Sequence, residues 1–364
     1  MHKISSKKIF FYFLLTHLLI WTLIPSLSNN NLPRDTIEAL AWGSNLDWGF
    51  DKHPPLSAFA VEFIFRIFGN QDWAYYLLSQ IFVIFSFFIV WLFSNKFFKN
   101  QKYCLMSILI LEGICFYNFT TPEFNVNISQ MPFWALTVLF AYRSFKENKT
   151  SDWLLFGVCA AFGVLSKYLF FYLLAAISIF FIFLMPIKNF KLKSLVSLIS
   201  FFLILSPHIA WLINNDFVTI TYGLHRSTDS FYTGNSSIVN HFVYPSIFLI
   251  KQFGILIPFF VILFFILKKL KFKLNFNDNK LIFLLAINLI PIILIFLTSL
   301  ILGIKIRTMW MTPFYLFFGV LIIYIFKKNI ELNKIKNFFI VFCFIFLFSP
   351  IIYFLNSTFK QDQR

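Results

Sequence analysis

The chain is poor in acid, in cysteine and in extended polar sequence. Only 15 of its 364 residues are Asp or Glu, and charged residues of both signs make up 13%. A soluble protein of this length carries about 25% charged residues, so the shell that would face water is missing. The four cysteines (Cys104, Cys115, Cys159 and Cys343) lie within or beside apolar runs, and no two have metal-ligand spacing. They read as small buried hydrophobes. Short alternating segments of the kind that build a transmembrane barrel are absent. So are a soluble domain, a linker and a convincing internal repeat. No small-x-small cleavage site follows the first apolar run, which therefore reads as an uncleaved first helix.

What fills the chain instead is hydrocarbon: 59% of residues are hydrophobic, 56 of them Phe. Apolar runs fall at 9–27, 73–95, 103–119, 128–145, 152–166, 168–185, 194–213, 242–267, 281–303, 309–326 and 337–355. Most are long enough to cross a bilayer, which predicts an all-α polytopic membrane protein with about 11 transmembrane helices. The net charge of +16 does not point to nucleic acid, because the cations sit in short clusters between apolar runs. With the N-terminus inside, 21 of the 31 Lys and Arg fall on the inner face, as the positive-inside rule requires. Lys188, Lys191, Lys271 and Lys334 are among them. The acids take the other side: Asp35, Glu38, Asp47, Asp51, Glu62, Asp72, Glu123, Asp216 and Asp229 fall outside. Any chemistry is therefore expected on the extracytoplasmic face.

Two loops stand out there, 28–72 and 214–241. The first contains LPRDTIEALAWGSNLDWGFDKHPPL, residues 32–56. Pro33 suits the start of a short helix over Arg34–Trp42, which would put Asp35, Glu38 and Trp42 on one face. A positioned carboxylate there could act as general base; a solvated amphipathic helix capped by acid gives the same pattern. Lys52 and His53 precede Pro54-Pro55, a rigid extended corner. They could hold a phosphate, or Lys52 could simply snorkel from a juxtamembrane turn. His208, His225 and His241 show no ligand spacing and are not read as a metal site.

The order D-x-x-E, LDWGF and a basic residue before HPPL resembles the first external loop of the protein-O-mannosyltransferase-like glycosyltransferases. These belong to the GT-C superfamily, which includes bacterial lipid A sugar transferases. Further matches follow in order. Glu123-Phe124-Asn125-Val126-Asn127 precedes the helix start Met131-Pro132-Phe133-Trp134. Leu165-Ser166-Lys167-Tyr168 matches an L-S-K-Y signature. Asn214-Asn215-Asp216-Phe217 and Arg307-Thr308-Met309-Trp310-Met311 to Tyr315 resemble later motifs.

The resemblance implies one membrane-embedded glycosyltransferase domain over 1–364. It would take a polyprenyl-phosphate-sugar donor and pass one sugar, with inversion, to a lipid or glycan acceptor in a bacterial inner membrane. Membrane lipids are its other expected partners, and no nucleic acid is expected. Asp35 becomes the key acid, with Glu38 beside it. Lys52, His53, Lys167, Arg226 and Arg307 become candidates for the donor phosphate. Glu123, Asn125, Asn127, Trp42 and Tyr168 become supporting or acceptor-binding residues.

The chain departs from the pattern in three places. The Glu-Lys pair before Pro-Pro in lipid A aminoarabinose transferases is Lys52-His53 here, so the Glu that helps bind metal has no acidic match. An Asp-Glu pair becomes Asp35-Thr36. The C-terminal domain of larger relatives is not found after the last span. No obligatory metal is expected, and a divalent ion is the one cofactor left open. A polytopic transporter or lipid-linked sugar flippase is the alternative function.

Overall fold

In the computed structural model, residues 5–184, 193–227, 238–270, 272–332 and 335–361 are described. Lys188, Lys191, Asp229, Lys271 and Lys334 lie outside them, as does the middle of the 214–241 loop. The described residues are helical almost throughout. Ser5 caps α1 (Ser6–Ser28) by accepting from the Lys8 N–H, and the Asn29 N–H closes it on the Pro25 carbonyl. The short α2 (Arg34–Gly43) starts at Pro33, as the sequence suggested, with Asp35 in its first turn. Pro55 opens α3 (Leu56–Phe68), which packs along α2; α4 (Asp72–Ser94) packs on α1.

The run 103–119 is not one continuous helix. It is α5 (Gln101–Leu109) followed by 3-10 turns at Ile110–Gly113 and Cys115–Tyr117. Next come α6 (Val126–Glu147), α7 (Thr150–Ser166), a 3-10 turn at Tyr168–Phe170 and α8 (Phe171–Leu184). The second half holds α9 (Lys193–Asn214), α10 (Val218–Ser227), α11 (Asn240–Phe264) and α12 (Asn279–Leu302). A 3-10 segment (Thr308–Tyr315), α13 (Phe318–Phe326) and α14 (Ile335–Gln361) complete it.

Among the described residues, α1, α4, α9, α11, α12 and α14 are long and apolar enough to cross a membrane. The pair Thr308–Tyr315 and Phe318–Phe326, bent by 53°, makes a seventh if it is one span. The remaining expected spans differ for identifiable reasons. α7 is 17 residues long and α8 only 14. α6 is long enough but places Asn127, Ser129, Gln130 and Thr137 on its buried side. Helix length and composition thus establish a polytopic membrane protein but only part of the expected count.

Burial follows the same logic. α6 lies at the centre, packed on α4 and α7, with α9 on the far side of α7 and α8 on α12. Trp134, Phe314 and Phe170 meet there, with ring centroids 4.9 and 5.5 Å from the indole. α9, α11 and α14 turn Leu203, Phe253 and Phe344 outward, each more than 60% exposed. An apolar side chain that finds no protein partner in a membrane protein meets lipid.

Candidate functional site

The first loop is fixed to the bundle at several points. The Phe50 N–H donates to the His53 carbonyl at 3.1 Å. Thr219 in α10 donates its hydroxyl to the Phe50 carbonyl at 2.6 Å. His208 in α9 reaches the Trp48 carbonyl through Nδ1 at 2.6 Å and the Tyr168 hydroxyl through Nε2 at 2.7 Å. Between them, Gly49 lies so close under the Trp211 indole that a Cβ there would overlap the ring. Trp42 stacks on Phe50 and edges onto His53, with centroids 5.6 and 5.9 Å apart. It therefore shapes the loop and does not line the cavity.

The second external loop is tied to α2. The Asp35 N–H donates to Glu123 Oε1 at 3.3 Å, and the Thr36 hydroxyl donates to the Phe124 carbonyl at 3.1 Å. Asn125 caps α6, accepting from the N–H groups of Asn127 and Ile128. Its side chain is thus used structurally, in the manner of an N-cap. Asn127, one turn in, accepts from the Lys167 ammonium at 2.5 Å. Lys167 itself sits in the break between α7 and the following 3-10 turn, 7% exposed, with Nζ 5.1 Å above the Trp310 ring.

These elements enclose a cavity of about 770 Å³. Asp35, Glu38, Lys52, His53, Asn127, Lys167, Tyr168, Arg226 and Arg307 all line it. Its other wall is apolar, formed by Leu169, Phe171, Leu302, Ile304 and Ile306 with Tyr172 and Met309. A second cavity of about 720 Å³ shares Asp35, Glu38, Lys52, Tyr222, His225, Arg226 and Arg307 with the first and adds Arg34, Val218 and Thr221. The two join through these seven shared residues into one site, charged on one side and apolar on the other. Every residue expected to meet a donor phosphate lines it, as do both expected catalytic carboxylates. Glu123, Asn125 and Trp42 stand behind that wall.

The charges are arranged in two groups. Glu38 takes Lys52 Nζ at 2.6 Å and lies 4.0 Å from Arg34 Nε. Arg226 donates to the Tyr222 hydroxyl at 2.5 Å and rests over that ring. Burial pushes the Lys167 ammonium down to about 7; Arg226 and Arg307 push the same way, and Asp35 resists. Burial, with Lys167, Arg226 and Lys52 nearby, lowers His53 to about 3. His53 is therefore a neutral donor at pH 7 and not a cation. Burial and the neighbouring Asp35 raise the Glu123 carboxyl above its ordinary range, and the Asp35 N–H resists that shift. Such a site, short of negative charge and crowded with positive charge, is built to receive an anion.

Among the described residues no three His, Cys, Asp or Glu converge. His225 lines the cavity, and His241 Nδ1 contacts the Leu300 carbonyl. Sequence reasoning missed Thr219, Tyr222 and Tyr172, named Trp310 only within a motif, and considered His208 as a metal ligand without assigning it a role in the site. Arg226 and Arg307 were visible as lone cations, but their polar and aromatic neighbours are small signals at a helix face.

Superposed on solved structures, the chain resembles ArnT from Cupriavidus metallidurans bound to undecaprenyl phosphate, with a TM-score of 0.65 over 92% of this chain. The chain shares the fold of that structure. The apo form of the same ArnT aligns with a TM-score of 0.60, again over 92%. Identities are 12% and 10%, and the chain spans 63% of the length of those structures. Residues 52–211 match the sequence family described as dolichyl-phosphate-mannose-protein mannosyltransferase. No curated protein matches the sequence at a significant level. The matched stretch runs from Lys52 through Lys167 to Trp211. It therefore takes in the Pro-Pro corner, the Glu123 loop and the L-S-K-Y motif, three of the features that build this cavity.

Proposed function

We propose that the chain is a glycosyltransferase that moves one sugar from a polyprenyl-phosphate donor to an envelope acceptor, with inversion at the anomeric carbon. One observation carries this reading. Asp35 and Glu38 share a single cavity with Lys52, Lys167, Arg226 and Arg307, and one wall of that cavity is hydrocarbon. A lipid phosphate needs both halves, the apolar wall for its chain and the cations for its head. The ArnT structure bound to undecaprenyl phosphate has the same fold, which supports the reading.

In the reaction, an acceptor oxygen attacks the anomeric carbon as the bond from that carbon to the phosphate oxygen breaks. The bonding electrons leave with the lipid phosphate, and the buried cations stabilise the charge that develops there. A hydroxyl acceptor loses its proton to Asp35. A phosphate acceptor has no proton to lose, and Asp35 then orients it. Glu38 holds Lys52 toward the donor, Glu123 sets the Asp35 end of α2, and Asn127 and Tyr168 shape the floor. The acceptor is lipid A, core saccharide or another envelope glycan, with a protein hydroxyl the less favoured choice.

The reading carries a topology: about 11 crossings of a bacterial inner membrane, N-terminus inside and 28–72 outside. A flippase is the second reading, favoured by the broken helix at Ile110–Gly113 and the 53° bend before α13. Purified protein in vesicles with a radiolabelled polyprenyl-phosphate sugar separates the two. Transfer to acceptor that disappears in Asp35→Asn supports the enzyme. Transbilayer movement of donor without transfer supports the flippase. Transfer at the wild-type rate in Asp35→Asn sinks the assignment of Asp35.

A further inference from the structure

A carboxylate outside the cavity sits deep in the bundle, where the run 103–119 breaks into 3-10 turns. Glu112 is 1% exposed, and its Oε1 lies 2.9 Å from Nδ1 of His17 on α1, which is fully buried. The approach is close but off the line of an aligned hydrogen bond. Placing an ionisable pair in apolar surroundings is costly, so its retention calls for a function.

What Glu112 grips is the second external loop. The Asn118 side-chain amide donates to the Glu112 carbonyl at 2.7 Å and to its carboxylate Oε2 at 3.3 Å. The Phe119 N–H occupies Asn118 Oδ1, so the Asn118 amino group must face Glu112 and needs an acceptor there. The Asn118 carbonyl takes the Thr121 N–H at 3.0 Å and its hydroxyl at 2.6 Å. From α4, Gln80 donates to Thr121 Oγ1 at 3.1 Å and Ser79 donates to the Thr121 carbonyl. Glu112, Asn118, Thr121, Ser79 and Gln80 are all buried. Two residues further on, Glu123 accepts the Asp35 N–H and Phe124 accepts the Thr36 hydroxyl.

We infer that Glu112, braced by His17, is a positioning residue for Asp35. The polar chain Glu112–Asn118–Thr121 fixes the loop, and the loop fixes the first turn of α2. Asp35 is the site residue that this loop touches directly, whereas Lys52 and Lys167 meet it only through Glu38 and Asn127. The inference rests on the glycosyltransferase reading. Misplacing a reacting group by about 1 Å can cost about 100-fold in rate, so a loosened loop is kinetically visible.

The test uses the full chain in nanodiscs, as Glu112→Gln and Thr121→Val. In Glu112→Gln an amino group replaces one acceptor. In Thr121→Val the hydroxyl bonds to the Asn118 carbonyl and from Gln80 are lost at nearly constant volume, while the backbone bonds remain. Expected is a kcat lowered by about 10-fold or more in the first and severalfold in the second, with donor KM within about 2-fold of wild type. Asp152→Asn, which disrupts another ion pair with a buried carboxylate (half-buried Arg143 Nε to Asp152 Oδ1, 2.9 Å), is the structural control. It should lower Tm and leave kcat per folded molecule unchanged.

Amide hydrogen exchange over residues 33–37 reads the same coupling without turnover. It should quicken in Glu112→Gln and Thr121→Val and stay at the wild-type rate in Asp152→Asn. If Glu112→Gln fails to fold, Thr121→Val carries the test. Wild-type kcat or wild-type exchange in folded Thr121→Val overturns the inference, as does an equal kcat loss in Asp152→Asn. A wild-type protein that transfers nothing overturns the glycosyltransferase reading instead, and the exchange rates still decide this one.

Discussion

Lys167 should make donor binding depend on pH across a range where phosphodiester donors themselves do not titrate. Its ammonium is lowered to about 7, because it is buried and faces Arg226 and Arg307. Asp35, Asn127 and the Trp310 ring are its other close neighbours. An arriving anion favours the charged form, so binding is accompanied by proton uptake at Lys167. The sign follows directly. Below pH 7 the lysine is already charged and affinity is flat. Above pH 7 each unit costs up to about 1.4 kcal/mol until the bound-state pKa is passed. With a bound-state pKa above 9, affinity falls about 50-fold between pH 7 and pH 9, or about 2.3 kcal/mol. The assay is binding of a polyprenyl-phosphate sugar to nanodisc-held protein from pH 6 to 9. Calorimetry in buffers of different ionisation enthalpy counts the proton. Lys167→Met should bind weakly with no slope above pH 7. A wild-type affinity that is flat from pH 7 to 9, or an equal slope in Lys167→Met, refutes the reasoning.

Three further outcomes are expected. Asp35→Asn should lower kcat for a hydroxyl acceptor by about 100-fold or more while donor KM holds, as steady-state transfer kinetics would show. Gly49→Ala should cost about 1–3 kcal/mol through overlap with Trp211, read as a lowered Tm in detergent. In Lys52→Met, which leaves Glu38 in the cavity without its lysine partner, donor KM should rise about 10-fold and recover partly in Lys52→Met with Glu38→Gln.

Much of the architecture was legible because hydrocarbon periodicity and Lys placement act over whole segments. The short helix at 34–43 followed from Pro33 and the spacing of Asp35, Glu38 and Trp42. Legibility ended where tertiary contact decides. Run 103–119 is as apolar as its neighbours, yet it breaks at Glu112, whose partner His17 lies 95 positions earlier. No local pattern carries that pairing. The cations were found one by one as charges in an apolar chain, and all of them line the cavity. Asn125 and Asn127 could not be distinguished from sequence. One caps a helix and the other holds Lys167, a difference set by two residues of helical phase.

α10 supplies Tyr222, His225 and Arg226 to both halves of the site. Among its described side chains only Thr219 is buried, held to the Phe50 carbonyl. None of its described side chains belongs to the hydrophobic core, and several of them face the cavity. A change on this helix therefore alters what the cavity presents before it alters the core of the bundle. A library that randomises Tyr222 and Arg226 and keeps Thr219, scored for transfer and Tm side by side, would explore substrate preference.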